Sequence, residues 1–171
     1  AYWAEMIHRS SEAAVRQNGV FSLFHNVLTA LAEGSLATEK LSLLFQLRLL
    51  TLIGLAPGLE CFRRCQRSLE TIAQDTILFA IAAGGVICDR CRQTAGPAVA
   101  GSKMLSAGTL KRLLWLQNNE LEQAQRVQFT QAAQKESLML LESFVLYHLS
   151  PEIRSLQVLR RLRQKKGKND E

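Results

Sequence analysis

Leu41-Ser-Leu-Leu-Phe-Gln-Leu-Arg-Leu-Leu-Thr-Leu-Ile-Gly-Leu55 decides the fold class. Ten of these fifteen positions carry large apolar side chains, spread around the whole helix instead of along one stripe. A helix that is apolar all round belongs at the centre of a bundle. It is too short to cross a bilayer, and Gln46 and Arg48 interrupt it. Thr38 is placed to cap its start, and Pro57-Gly58 stops it.

Helical periodicity continues on both sides. Phe21, Phe24, Val27, Leu28 and Leu31 follow one helical face, and Gly34 ends that helix as glycine does just past a C-terminus. Downstream, Ser106 can cap a helix through Leu110, Leu113, Leu114 and Leu121. A further helix carries Leu138, Leu141, Val145 and Leu149 on one face, flanked by Phe144, with His148 in a structural place at its end. Ser150-Pro151-Glu152 reads as the start of a last helix, Ile153 to about Arg163: Ser as cap, Pro at the first position, then an acid favoured by the dipole. The chain opens without Met inside what already reads as a helix, which suggests a piece of a longer protein; no basic-then-apolar leader is seen.

Residues 58–103 change character. Ile77 to Ile81 is a short apolar run, and Gly84-Gly85 offers a tight turn before Val86-Ile87-Cys88, which together predict a small β-hairpin. Ser68 to Gln74 reads as a short helical turn, and Gly96 to Ser102 as a loop back to helices. The expected class is therefore mainly α: a helical bundle (1–57 and 104–163) with a small four-cysteine, zinc-ribbon-like β-hairpin insert (58–103) and a basic disordered tail (164–171).

Composition agrees with that class. The chain has 171 residues, 47% hydrophobic and 21% charged, which suits one globular domain with a self-sufficient core. Ten glycines, three prolines and 6% aromatics argue against a β-sandwich, a collagen-like fibre or a Pro-rich disordered chain. A net charge of +6 points towards polyanions or acidic partners. No stretch reaches the length of a membrane span, and no membrane partner is expected; the expected location is cytoplasmic.

All four cysteines fall between 61 and 91, as Cys61-x3-Cys65 and Cys88-x2-Cys91. Two close pairs of this spacing match a structural tetrahedral zinc site, each pair supplying two thiolates at about 2.3 Å. Four thiolates leave no open position, so the metal would be structural. Free thiols are the alternative, disulfides being disfavoured without a secretory signal. Arg63, Arg64, Arg90 and Arg92 stand beside these cysteines, either to compensate a negative zinc–thiolate centre or to meet an acidic partner.

Three segments in order carry a resemblance. Leu47-Arg-Leu-Leu-Thr-Leu-Ile-Gly-Leu-Ala-Pro57, then the paired cysteines with Gly84-Gly-Val-Ile-Cys-Asp-Arg-Cys91, then Tyr147-His-Leu-Ser-Pro-Glu-Ile-Arg-Ser-Leu156, resemble the C-terminal part of the bacterial recombination-repair family RecO. Tyr2 to Gly34 fits that family's two leading helices. The family's N-terminal OB-fold has no counterpart in these residues, and Phe62 stands where its first Cys-x2-Cys pair would begin, with Cys61 one residue early. The resemblance implies a mediator rather than an enzyme. Its implied partners are single-stranded DNA, the acidic, apolar C-terminal tail of single-stranded-DNA-binding protein (SSB), and RecR, with strand annealing and RecA loading as the outcome. A zinc-containing helical module that binds only proteins is the alternative.

Arg154, Arg160, Arg161, Arg163, Lys165, Lys166 and Lys168 lie within fifteen residues with no acid among them. They are candidates for tracking phosphates or binding a partner, although cations at a helix C-terminus also favour its dipole. Arg154, near a helix start, is expected to pair with a carboxylate. Arg48 reads either as half of a salt bridge with Glu39 or Glu60, or as a fork for a peptide carboxylate. Tyr2, Trp3 and Trp115 could stack bases, but at helical spacing they read as core. Catalysis has little support, and no small-molecule substrate is expected: Gly84-Gly85 lacks the Lys-Ser/Thr of a phosphate loop, and His8, His25 and His148 have no nucleophile at a recognised spacing.

Overall fold

The computed structural model describes residues 1–10, 17–69, 75–94, 96–99, 101–119, 121–124 and 126–169, and the statements below concern these. The architecture is mainly helical with one small sheet. Helix α3 (Thr38–Leu52) is the central element, with Leu41, Leu43, Leu44, Phe45, Leu47, Leu49 and Leu50 all buried. Around it lie α1 (Tyr2–Ser10), α2 (Gln17–Ala32), α5 (Ala107–Asn118) and α7 (Gln131–His148). Burying one ring such as Phe45 stabilises the fold by roughly 1.5–3 kcal/mol. Gln46, which seemed to interrupt the apolar run, is fully buried and bonded: it accepts from the Tyr2 hydroxyl at 3.0 Å and donates to the Ser42 carbonyl at 3.0 Å. Tyr2 and Trp3 are core, as their spacing suggested, and Trp3 stacks on Phe45 at 5.3 Å. Burial, then the nearby Glu142 carboxylate, pushes the Tyr2 phenol upward from its ordinary range.

The helix ends differ in detail from the sequence reading. Thr38 is the first helical residue of α3 and not its cap; Ala37 holds the cap position without a side-chain bond. Gly54, at φ +77°, ends α3 before Pro57 is reached: Leu55 N–H donates to Leu50 and Gly54 N–H to Thr51. This is the Schellman arrangement that left-handed glycine permits, and Gly34 ends α2 in the same way. On α2 the buried face is Val20, Val27 and Ala30, whereas Phe21, Leu28 and Leu31 are exposed. The expected stripe therefore lies partly outward: Phe24 and Val27 of it turn towards α3, where Phe24 lies 6.3 Å from the Phe45 ring, while Phe21, Leu28 and Leu31 do not.

Strands β1 (Thr76–Ala80), β2 (Gly85–Ile87) and β3 (Lys103–Ser106) form an antiparallel sheet in the order β2-β1-β3. The expected hairpin is present, but it turns at Ile81–Gly84 with Gly85 already in β2, and a further strand, β3, pairs Ile77 with Leu105. The loop before it holds a 3-10 turn, Gly96–Val99. Ser68 pairs with Cys61 in an isolated antiparallel bridge instead of starting a helical turn, and 70–74 lie outside the described residues. Ile77, Phe79, Val86 and Leu105 join the same apolar core as the helices. His148 does tie the end of α7 structurally, its Nε2 lying 2.7 Å from the Ile81 carbonyl oxygen.

Ser106 caps α5 through Thr109 N–H, as anticipated, and Glu136 of α7 reinforces that cap by accepting from Ser106 N–H, Ser106 Oγ and Thr109 Oγ1. Burial works to raise the Glu136 carboxyl, but these donors outweigh it and hold it below its usual range. Leu121 does not continue α5; it starts the short α6 (Leu121–Ala124). Helix α8 (Arg154–Asn169) begins after, not at, Ser150-Pro151-Glu152, and continues past Arg163. Its opening N–H groups are met from the other end of the chain. Glu5 of α1 accepts from Arg154 N–H at 3.0 Å, from Ser155 N–H at 2.9 Å and from the Ser155 hydroxyl.

Candidate metal centre and basic cleft

The cysteine centre is assembled by backbone contacts. Gly58 N–H donates to Gly84, Val86 N–H to Gly58, and Arg63 N–H to Val86, so the segment carrying Cys65 is zipped along β2. The two chains run so close at Gly58 and Gly85 that a Cβ on Gly85 would stand 2.9 Å from the Gly58 oxygen. Cys88 follows β2 directly and caps α4 (Asp89–Gln93), its sulfur accepting from Cys91 N–H at 3.4 Å. The sulfurs of Cys65, Cys88 and Cys91 consequently lie within 4.8 Å of one another, with Cys65 and Cys88 at 3.8 Å. Sulfurs at the corners of a tetrahedron around an ion about 2.3 Å away would be about 3.8 Å apart. Three thiols therefore fit the zinc site that the cysteine spacing predicts, and they would pin the 58–65 segment to the hairpin.

Cys61 is not brought to them. Its thiol donates to Gln66 Oε1 at 3.2 Å, on the outside of the turn. The neighbouring position is filled by Phe62, whose ring is buried in the core. Adjacent residues of an extended segment face opposite ways, so the one-residue displacement from the family spacing aims the thiol elsewhere.

The cation against the sulfurs is Arg67, which sequence reasoning did not single out. Its guanidinium donates to Cys88 Sγ at 3.4 Å and lies 5.9 Å from the Phe62 ring centroid. Arg67's backbone N–H, then its guanidinium, hold the Cys65 thiol down to about 7, while hydrogen bonding with Cys88 pushes Cys91 upward. Arg64 reaches the Cys91 carbonyl, and Arg63, Arg90 and Arg92 are exposed.

The basic residues of the last helix do not act as one stripe. Arg160 and Arg163 both bind Glu142 of α7, which is only 3% exposed; the Arg160 contact is 2.7 Å. Arg154 and Arg161 are exposed, and it is the Arg154 backbone, not its guanidinium, that meets a carboxylate. For Lys165, Lys166 and Lys168 only the helical backbone is described. Beside the Glu142 pair, α7, α8 and β3 border a cleft of about 750 Å³. Lys103, Lys135, Arg160 and Arg163 ring its apolar floor of Leu138 and Met139, the latter half exposed. Sequence spacing could not assemble this cleft, since Lys103 and Lys135 come from separate elements.

Arg48 binds neither Glu39 nor Glu60 in the contacts described for it. Its guanidinium donates to the Asn119 carbonyl, and it borders a smaller cleft of about 230 Å³ with Leu23, Asn26 and Thr51. Glu60 accepts instead from Asn118 Nδ2 at 3.2 Å. No described helix is long and apolar enough to cross a membrane.

Comparison with known proteins agrees with this picture. The family described as "Recombination protein O C terminal" matches residues 1–157. A DNA repair protein RecO of Desulfosudis oleivorans is 42% identical over 167 residues, which is 95% of this chain and 63% of that protein. Another, of Desulfatibacillum aliphaticivorans, is 38% identical and is covered over 62% of its length; one of Syntrophus aciditrophicus is 36% identical over 140 residues, 82% of this chain and 52% of its own. The chain thus spans less than two thirds of these relatives. No solved structure matches it. The central helix, the cysteine-bearing hairpin and the closing helix, with the family match across 1–157, establish that the chain belongs to the RecO family of DNA recombination and repair proteins.

Proposed function

We propose that this chain is the helical part of a non-enzymatic recombination mediator of the RecFOR pathway. It works in the cytoplasm with RecR, binds single-stranded DNA and SSB, and promotes strand annealing and RecA loading. The observation that carries the reading is the cleft between α7 and α8. Its four cations suit the acidic residues and terminal carboxylate of the SSB tail, and Leu138 and Met139 suit its apolar end. Glu142, the acid in that cleft, is already neutralised by Arg160 and Arg163. Arg48, the other candidate fork, is engaged with Asn119 and borders a cleft a third as large. Zinc held by the clustered thiolates is a structural clamp in this reading, fixing the Cys65 segment to β2.

The test is fluorescence anisotropy of a labelled SSB C-terminal peptide at two salt concentrations. Saturable, salt-sensitive binding that needs the terminal carboxylate and weakens at least tenfold in K135E or M139D is expected. A folded chain that does not bind the peptide overturns the docking claim. A second reading, a protein-binding module without DNA contacts of its own, draws support from the commitment of Arg160 and Arg163 to Glu142. Peptide binding without salt-dependent binding of single-stranded DNA would favour it.

A further inference from the structure

A zinc clamp of four cysteines is closed, but the arrangement of this chain is not. We infer that its metal centre uses three protein thiolates, Cys65, Cys88 and Cys91, and keeps a fourth coordination position for an exchangeable external ligand, a thiol or an imidazole. The inference rests on the metal reading above and concerns which residues complete the site. Three observations support it. The three sulfurs are already gathered within 4.8 Å, with the 3.8 Å edge that a tetrahedral ion requires. Cys61 is held away from them: its thiol is bonded to Gln66, whose Nε2 is in turn anchored on the Arg63 carbonyl at 3.0 Å. Gln66 itself sits at φ +57°, a left-handed conformation fixed by its N–H bond to Phe62.

Delivering the Cys61 sulfur to the metal would therefore break the Gln66 anchor. It would also turn the 61–62 segment over, which would lift the Phe62 ring out of the core. The remaining ligand has to come from outside these four side chains. A divalent ion on three thiolates carries one negative charge, and the Arg67 guanidinium at Cys88 Sγ supplies the compensating positive one. With four thiolates the charge would be minus two. Open positions of this kind bind small donors reversibly, and the ion exchanges faster than from a closed site.

The experiment loads the reduced full chain with Co²⁺ and with Zn²⁺ and compares C61S, C65S, C88S and C91S. Expected are one ion per chain in the wild type and a sulfur-to-cobalt charge-transfer band unchanged in C61S. C65S, C88S and C91S should each lose about a third of the band and at least tenfold in affinity. Added imidazole or 2-mercaptoethanol should shift the cobalt visible spectrum of the wild type and of C61S alike. A C61S protein that loses a quarter of the band, with a wild type indifferent to added donors, overturns the three-thiolate assignment and leaves the metal reading standing. A wild type that binds neither ion under reducing conditions overturns the metal reading itself.

Discussion

Replacing Arg160 and Arg163 together by methionine would leave the Glu142 carboxylate enclosed with its two cations gone. Only 4% of that side chain is exposed, against 41% for Arg160 and 28% for Arg163, so the two sides of the pair are not equivalent. The carboxylate loses its partners in a place where water does not replace them, which costs about 3–5 kcal/mol. Removing the acid instead, as E142Q, leaves two arginines that water can reach, and costs about 1 kcal/mol. Replacing all three, as E142L/R160M/R163M, removes the buried charge with its partners and should return the stability to within about 1 kcal/mol of wild type. Urea denaturation followed by far-ultraviolet circular dichroism measures all three variants. For a chain of this size each kcal/mol shifts Tm by about 2–4 °C, so the arginine pair should lower it by roughly 6–20 °C. If the double arginine variant were no less stable than E142Q, the asymmetric-burial argument would be refuted.

Two further outcomes follow from the geometry. Hydrogen bonds from the Ser155 hydroxyl, then from its N–H, hold the Glu5 carboxyl below its usual range, with burial opposing them weakly. The stability this cap adds is present above the unfolded-state value and is lost as pH falls through the lower folded-state one. E5A should thus cost about 1 kcal/mol at pH 7 and progressively less as the pH falls below the usual carboxylate range, and a urea midpoint difference that does not shrink on acidification would contradict it. G85A should cost about 1–3 kcal/mol, because its Cβ meets backbone at Gly58, and should also speed the reaction of Cys65 with Ellman's reagent. G84A, where open space but φ +73° awaits the new methyl, should strain only the turn and leave that thiol rate unchanged.

What was readable in the sequence is what neighbouring residues determine. The all-round apolar character of α3 and the Ser106 cap are local signals, and each appears where it was expected, while the hairpin turn ends at Gly84 and Gly85 already opens β2. The α8 cap was misread because Ser150-Pro151-Glu152 has the right local chemistry, while the acceptor actually used comes from Glu5 on another helix. Strand β3 has four residues and a single buried side chain, Leu105, so only its pairing with β1 makes it a strand. At the cysteine site, clustering in sequence did locate Cys65, Cys88 and Cys91. Spacing alone could not say that Cys61 faces away, since that depends on which of two adjacent residues turns inward, and Phe62 does. Arg67 carries no local signal because the sulfur it approaches, on Cys88, lies 21 positions further along the chain.

The bond between Glu5 and the start of α8 also orders events in time. The two residues it joins first are 149 positions apart. A ribosome adding 5–20 residues per second takes roughly 7–30 s to make that stretch. Throughout this interval the Glu5 acceptor exists without the Arg154 and Ser155 donors that will satisfy it. Helix α1 can meet α3 early, but α8 can be seated only after the rest of the bundle exists. A helix made late is thus received by a carboxylate made 149 positions earlier.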